Sequence, residues 1–245
     1  MLRFDGTPIE AVLLDLDDTL LDNQVGLEAA WERVSELVAQ RLGGMAVADV
    51  RAQLARSSEW FWSDEERHRA GRLDMPAARR AVLAHLLESL GRPAGRLADE
   101  LGQRYCELRD ASLAPIEGAF EALARLRAAA PALGLVTNGA AAAQRAKIDR
   151  FALGGFFDVI VVEGEFGAGK PDARVFRHAT AALGAAAPAA SLMAGDNYDC
   201  DVLGALRAGL QAVWIEPRGR PAPVSAPRPH RTLPSLSALV ELLGV

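Results

Sequence analysis

Two carboxylates, Asp15 and Asp17, stand two residues apart at the end of the run Ala11-Val12-Leu13-Leu14, followed by Asp18 and Thr19. A short apolar run of this kind reads as a buried parallel strand. The carboxyl ends of such strands are where open α/β sheets place their ligands. Carboxylates crowded there raise each other's pKa unless a cation or a proton relieves them. A bound divalent metal is the simplest relief, and it leaves one carboxylate for chemistry. Three more polar clusters end or follow apolar runs: Thr137-Asn138-Gly139, Lys170-Pro171, and Gly195-Asp196 with Asp199 and Asp201. A parallel sheet brings all four clusters to one edge. Acids, a hydroxyl and an ammonium together suit phosphoryl transfer, in which a metal and a lysine neutralise phosphate oxygens while a carboxylate attacks.

The elements that would hold these groups alternate along the chain. Apolar runs at 133–137, 159–162, 192–196 and 212–215 read as strands, and residues 140–151, 173–183 and 200–208 as helices. That rhythm gives βαβ units and a parallel sheet. Pro171-Asp172 reads as a helix start, and Gly184 and Gly209 as helix ends. Residues 23–113 break the rhythm. Leu27, Trp31, Val34, Leu37 and Val38 fall at helical spacing, and Gly43-Gly44, Gly71 and Gly91 to Gly95 mark turns. The chain therefore reads as an α/β core, residues 1–22 and 114–245, with an all-helical insert acting as a lid over the site. Residues 217–229, rich in proline and arginine, read as a surface loop and residues 236–243 as a closing helix.

Bulk properties narrow the classes. A net charge of -5 argues against the clustered positive surface that a nucleic-acid polymer needs. The two cysteines, Cys106 and Cys200, have neither metal-type nor disulfide-framework spacing. The first residues lack an apolar secretory core and no stretch is long enough to span a bilayer, so the expectation is a cytoplasmic protein without a membrane partner. The oligomeric state, monomer or homodimer, is not legible.

The four clusters, in this order, resemble the motifs of the haloacid dehalogenase (HAD) superfamily, most of whose members are phosphatases: Asp15-x-Asp17-x-Thr19, Thr137, Lys170, and Gly195-Asp196 with Asp201. The helical insert is similar to the cap of subfamily I, and the resemblance covers essentially the whole chain. It implies a Rossmann-like core with an inserted helical cap domain. It also implies Asp15 as nucleophile forming an aspartyl-phosphate and Asp17 as general acid and then base. Thr137, with main-chain N–H groups near Leu16 and Asn138, would bind the phosphoryl group. Lys170 would hold the nucleophile and the phosphoryl charge. Mg2+ would be held by Asp15, the Asp17 carbonyl and Asp196. Asp201 would orient Lys170 or metal-bound water, and is favoured over Asp199 by family spacing.

Plainer readings stand beside these. Asp15 and Asp17 could cap the next turn, Thr137-Asn138-Gly139 could be an ordinary turn, Lys170 a solvated charge, and Asp196 a helix cap. Gly164, Gly169 and Lys170 have P-loop spacing, but Pro171 stands where a P-loop needs Ser or Thr. Trp60-Phe61-Trp62 reads as cap packing rather than a specificity pocket, and Arg67-His68-Arg69 as a solvated helix face. The leading function is a magnesium-dependent phosphatase acting on a small phosphorylated metabolite, such as phosphoglycolate, a sugar phosphate or a nucleoside monophosphate. The alternatives are a 2-haloacid dehalogenase, which in that family typically lacks the acid matching Asp17, a phosphomutase of the β-phosphoglucomutase type, and a non-enzymatic scaffold.

Overall fold

The computed structural model describes residues 2–216, 219 and 227–245. The stretch read as a surface loop therefore lies largely outside the described residues. The chain divides into two compact units, Met1–Asp22 with Pro115–Val245, and Asn23–Ala114. Among the described residues, no helix is long and apolar enough to cross a membrane.

The first unit is built on a six-stranded parallel sheet of β1 (Ala11–Leu14), β2 (Leu133–Thr137), β3 (Val159–Val162), β4 (Ser191–Gly195), β5 (Gln211–Ile215) and β6 (Arg231–Leu233). Their spatial order is β6-β5-β4-β1-β2-β3. β1 pairs Ala11 with Ser191 on one side and Val12 with Leu133 on the other. The switch of direction, where such sheets open a crevice at their carboxyl edge, falls at β1. Each residue of β1, β2 and β4 is buried, which explains their uninterrupted apolar runs.

The helices of both units are α1 (Leu27–Arg41), α2 (Val47–Trp62), α3 (Glu65–Leu73), α4 (Met75–Ser89), α5 (Gly95–Ser112), α6 (Ala119–Ala129), α7 (Ala141–Arg150), the single turn α8 (Glu163–Phe166), α9 (Ala173–Ala182), α10 (Gly204–Ala208) and α11 (Leu236–Leu243). In the α/β unit, α9 buries Val175, Phe176 and Ala179 against Leu13 and Met193 of the sheet. Asp172, not Pro171, caps this helix, its side chain accepting the Arg174 N–H at 2.8 Å. The helix expected over 200–208 is two pieces, a π-helical turn over Tyr198–Leu203 and then α10. Gly184 and Gly209 end their helices with φ of 74° and 86°, a conformation that costs glycine little.

The second unit consists of α1 to α5 around a core that includes Val34, Val38, Val82, Leu83, Leu86 and Leu101. Gly71 is not a turn but lies inside α3, where a Cβ would meet the Phe61 ring at 2.8 Å. Phe61 is core and Trp60 stacks on His85, ring centres 4.1 Å apart. Arg67 lies over Trp60, whereas His68 and Arg69 are exposed.

Candidate active site

β1 carries the first carboxylate to the sheet's carboxyl edge. The Asp15 N–H still donates to Ala194 O at 3.0 Å, the last rung of that ladder. The chain then turns at Asp18, which has φ 61°, a left-handed conformation that Asp tolerates better than most residues. Leu20 N closes the turn on Leu16 O at 2.9 Å. This fold-back returns the buried Thr19 hydroxyl to within 3.5 Å of Asp15 Oδ2.

Lys170 arrives from beyond β3 and is 2% exposed, far from a solvated surface charge. Its Nζ lies 2.5 Å from Asp15 Oδ1 and 2.7 Å from Asp201 Oδ1. Asn138, at the end of β2, fixes the lysine backbone: its Nδ2 donates to Lys170 O and its Oδ1 accepts from Lys170 N, both at 2.7 Å. Asp201 is buried inside the π-helical turn, and its Oδ2 accepts the Asn197 N–H at 2.9 Å. That approach requires Gly195, since a Cβ there would collide with the Asp201 carboxylate. Asp199 is exposed and takes no part.

Asp15, Asp196 and Asp201 offer carboxylate oxygens within 4.8 Å of one another. Three carboxylates thus face a single ammonium. Burial, with the charges of Asp15 and Asp201 added, pushes the Asp196 carboxyl up to about 8. Burial also dominates at Asp15, raised to about 7 even though Lys170 pulls the other way. For Lys170 the desolvation that would lower its pKa is outweighed by Asp15 and Asp201, so it stays charged. Hard oxygen donors with surplus negative charge are the donor set for a divalent cation such as magnesium. The residues present therefore fit such an ion.

Asp17 points to a different set of partners. Lys147 Nζ holds both its oxygens, at 2.6 and 2.9 Å, and Gln144 Nε2 donates to Oδ2 at 2.9 Å. The same amide lies 2.5 Å from Thr137 Oγ1 and 2.9 Å from Asn138 O. Gln144 and Lys147 are three apart on α7, so they share one face of the helix that follows the Thr137 turn. A further acid, Glu163, is buried beyond β3 and accepts the Gly139 N–H at 2.9 Å.

All the sequence-predicted residues are therefore at one edge of the sheet, in two linked groups. Asp15, Lys170, Asp196 and Asp201 form a buried charge cluster, with Asn138 behind the lysine. Asp17 and Thr137 are joined through Gln144. Sequence reading passed over Gln144, Lys147 and Glu163. The spacing of a Gln and a Lys one helical turn apart, straight after a candidate phosphate-binding turn, was the available signal.

The chain is similar to known proteins in both sequence and fold. The profile of the haloacid dehalogenase-like hydrolase family matches residues 9–209. A phosphoserine phosphatase of Thermus thermophilus is 34% identical over 230 residues, covering 87% of this chain and 91% of its own. Among solved structures, the HAD-hydrolase YfnB of Bacillus subtilis, bound to magnesium, superposes with a TM-score of 0.73 at 24% identity, over 97% of this chain and 100% of that one. A 2-haloacid dehalogenase of Pseudomonas syringae gives 0.66 at 28% identity, over 96% and 98%.

Proposed function

The chain belongs to the haloacid dehalogenase-like hydrolase family, and from that premise we propose that it hydrolyses a small phosphorylated metabolite with Asp15 as nucleophile. The observation that carries this reading is the buried cluster in which one lysine faces three carboxylates at the carboxyl edge of the sheet. In that setting an Asp15 oxygen attacks phosphorus and the P–O bond to the leaving alcohol breaks, giving an aspartyl-phosphate. Asp17 supplies the proton that the leaving oxygen takes up. Water then attacks the same phosphorus, its proton passes to Asp17, and Asp15 and inorganic phosphate are released. Lys170 favours the ionised form of Asp15 against the effect of burial and meets the phosphoryl charge. Thr137 and the main chain near Leu16 and Asn138 bind the phosphoryl oxygens. Asp201 holds Lys170 in place. Asp15, Asp196 and the Asp17 carbonyl would hold Mg2+, which when bound would neutralise charge at the phosphoryl group. The helical unit serves as the cap that admits substrate and excludes water.

The 2-haloacid dehalogenase reading rests on structural likeness. Expulsion of halide needs no proton, so it leaves Asp17, with its two dedicated partners, without a task. The deciding experiment is phosphate release from a panel of phosphomonoesters with magnesium, run beside Asp15→Asn. Release by the native protein that falls by at least a thousandfold in the variant supports the proposal. No release from any member, with chloride freed from chloroacetate in the presence of a chelator, would replace it with the dehalogenase reading. Interconversion of sugar phosphates without free phosphate would make it a mutase.

A further inference from the structure

Arg79, on α4, is packed among three aromatic rings from three other helices. Its guanidinium carbon is 5.5 Å from the ring centre of Trp31, 5.4 Å from Trp62 and 5.1 Å from Tyr105. Trp31 and Tyr105 lean on each other, centres 3.9 Å apart. Ring faces attract a cation and hold it in one orientation, but they do not neutralise it. Among the described residues no carboxylate forms an ion pair with Arg79.

A second cation, Arg109, also acts on it. Burial makes the Arg79 charge costly, and Arg109 adds to that cost. The hydrogen bonds of Arg109 itself go to neutral oxygens, those of Asn23, Val25 and Ser112. One further group in the cluster, the Arg79 Nε, is buried with no hydrogen-bond partner, and the Tyr105 hydroxyl, on a residue 2% exposed, has Arg109 beside it as its partner. Buried polar groups are nearly always satisfied, by protein, water or ligand. Two guanidinium groups without a carboxylate partner, one of them with an unpartnered buried N–H, offer an anion a place. A guanidinium edge matches a carboxylate with two parallel hydrogen bonds, and ring faces favour a flat group over a tetrahedral one.

We propose that this cluster is a carboxylate-binding subsite, with Arg79 as the recognising residue and Arg109 and the Tyr105 hydroxyl beside it. The carboxylate comes either from the phosphorylated substrate or from a separate small acid acting as an effector. The first source rests on the phosphatase reading; the second does not.

The test compares the full-length native chain with Arg79→Gln and Arg79→Lys. One arm measures kcat/KM for pairs that differ only in a carboxylate, such as O-phosphoserine and phosphoethanolamine. The other follows tryptophan fluorescence, reported by Trp31 and Trp62, during titration with unphosphorylated mono- and dicarboxylic acids. A substrate carboxylate gives at least a tenfold preference for the carboxylated member in the native protein, which Arg79→Gln collapses towards one and Arg79→Lys retains in part. An effector gives saturable binding of a free acid, weakened at least tenfold in Arg79→Gln, without any preference among substrates. If Arg79→Gln fails to fold, Arg79→Lys and Arg109→Gln carry the same comparison. Identical preferences and identical titrations in native and variant proteins would overturn the subsite. Failure of the native protein to hydrolyse even p-nitrophenyl phosphate would refute the phosphatase reading, while the fluorescence titration still decides the subsite.

Discussion

Replacing Asp196 by Asn should make the metal-free protein more stable while destroying its response to magnesium. In the native state the Asp196 carboxyl titrates at about 8 rather than 3.8, burial being the main cause and Asp15 and Asp201 the next. Its native pKa is raised, so the folded state binds more protons, and stability falls as pH rises from 3.8 towards 8. At pH 7 the unfolded carboxyl is ionised and the native one is not. At about 1.4 kcal/mol per pH unit that gap amounts to roughly 4 kcal/mol. Asp15, Asp201 and Lys170 readjust when the charge is removed, so a gain of about 2–4 kcal/mol is expected, or roughly 5–15 °C in Tm for a chain of this size. Asn cannot be ionised in either state, so the advantage should shrink to under half at pH 5. The assay is thermal unfolding in a chelator at pH 5 and pH 7, repeated with excess magnesium. Magnesium should raise the native Tm and leave the variant nearly unmoved. A variant that melts at or below the native protein at pH 7, or an advantage that persists at pH 5, would refute the crowding argument.

Two other substitutions probe separate links. Lys147→Met should slow hydrolysis of alkyl phosphates about tenfold or more, through kcat rather than KM, and affect p-nitrophenyl phosphate far less, because only a poor leaving group needs a well-placed Asp17; Lys147→Arg should restore part of the loss, and equal losses on both substrates would show a merely structural role. Gly195→Ala should displace Asp201 and loosen Lys170, lowering kcat at least a hundredfold with the fold retained, as read by phosphate release alongside circular dichroism.

The core was legible because β1 to β5 are fully or largely buried parallel strands, whose apolar runs end in polar residues that have no packing reason to be there. Asp15 and Asp196 could be placed at one edge from that rule, whereas Asp201 was preferred to Asp199, and Lys170 given its role beside the nucleophile, only through the family resemblance. The hand that holds Asp17 could not, because Gln144 and Lys147 sit on α7 among residues that are elsewhere ordinary helix surface. β6 escaped notice because Arg231-Thr232-Leu233 is a short edge strand with two exposed residues and no apolar run. Gly71 looked like punctuation, yet its missing Cβ lets α3 settle on Phe61. The opposite slip occurred at Asp5-Gly6, an available hairpin signal that joins the paired strands Arg3–Phe4 and Thr7–Pro8.

Of the six strands of the parallel sheet, the first in sequence is also one of the two in its middle. Ala11 finds its partner on one side only at Ser191, and Val12 on the other only at Leu133. A ribosome adds about 5–20 residues per second, so the apolar segment Ala11–Leu14 is translated roughly ten to forty seconds before its last neighbour. Over that interval both of its edges are open to other chains. The intervening segment Asn23–Ala114 is a compact unit in itself and can organise as it emerges, so the order of synthesis would separate an early-folding insert from a late-closing sheet. Yield in the cell should accordingly depend on translation rate and chaperone supply more than on the final stability of the sheet.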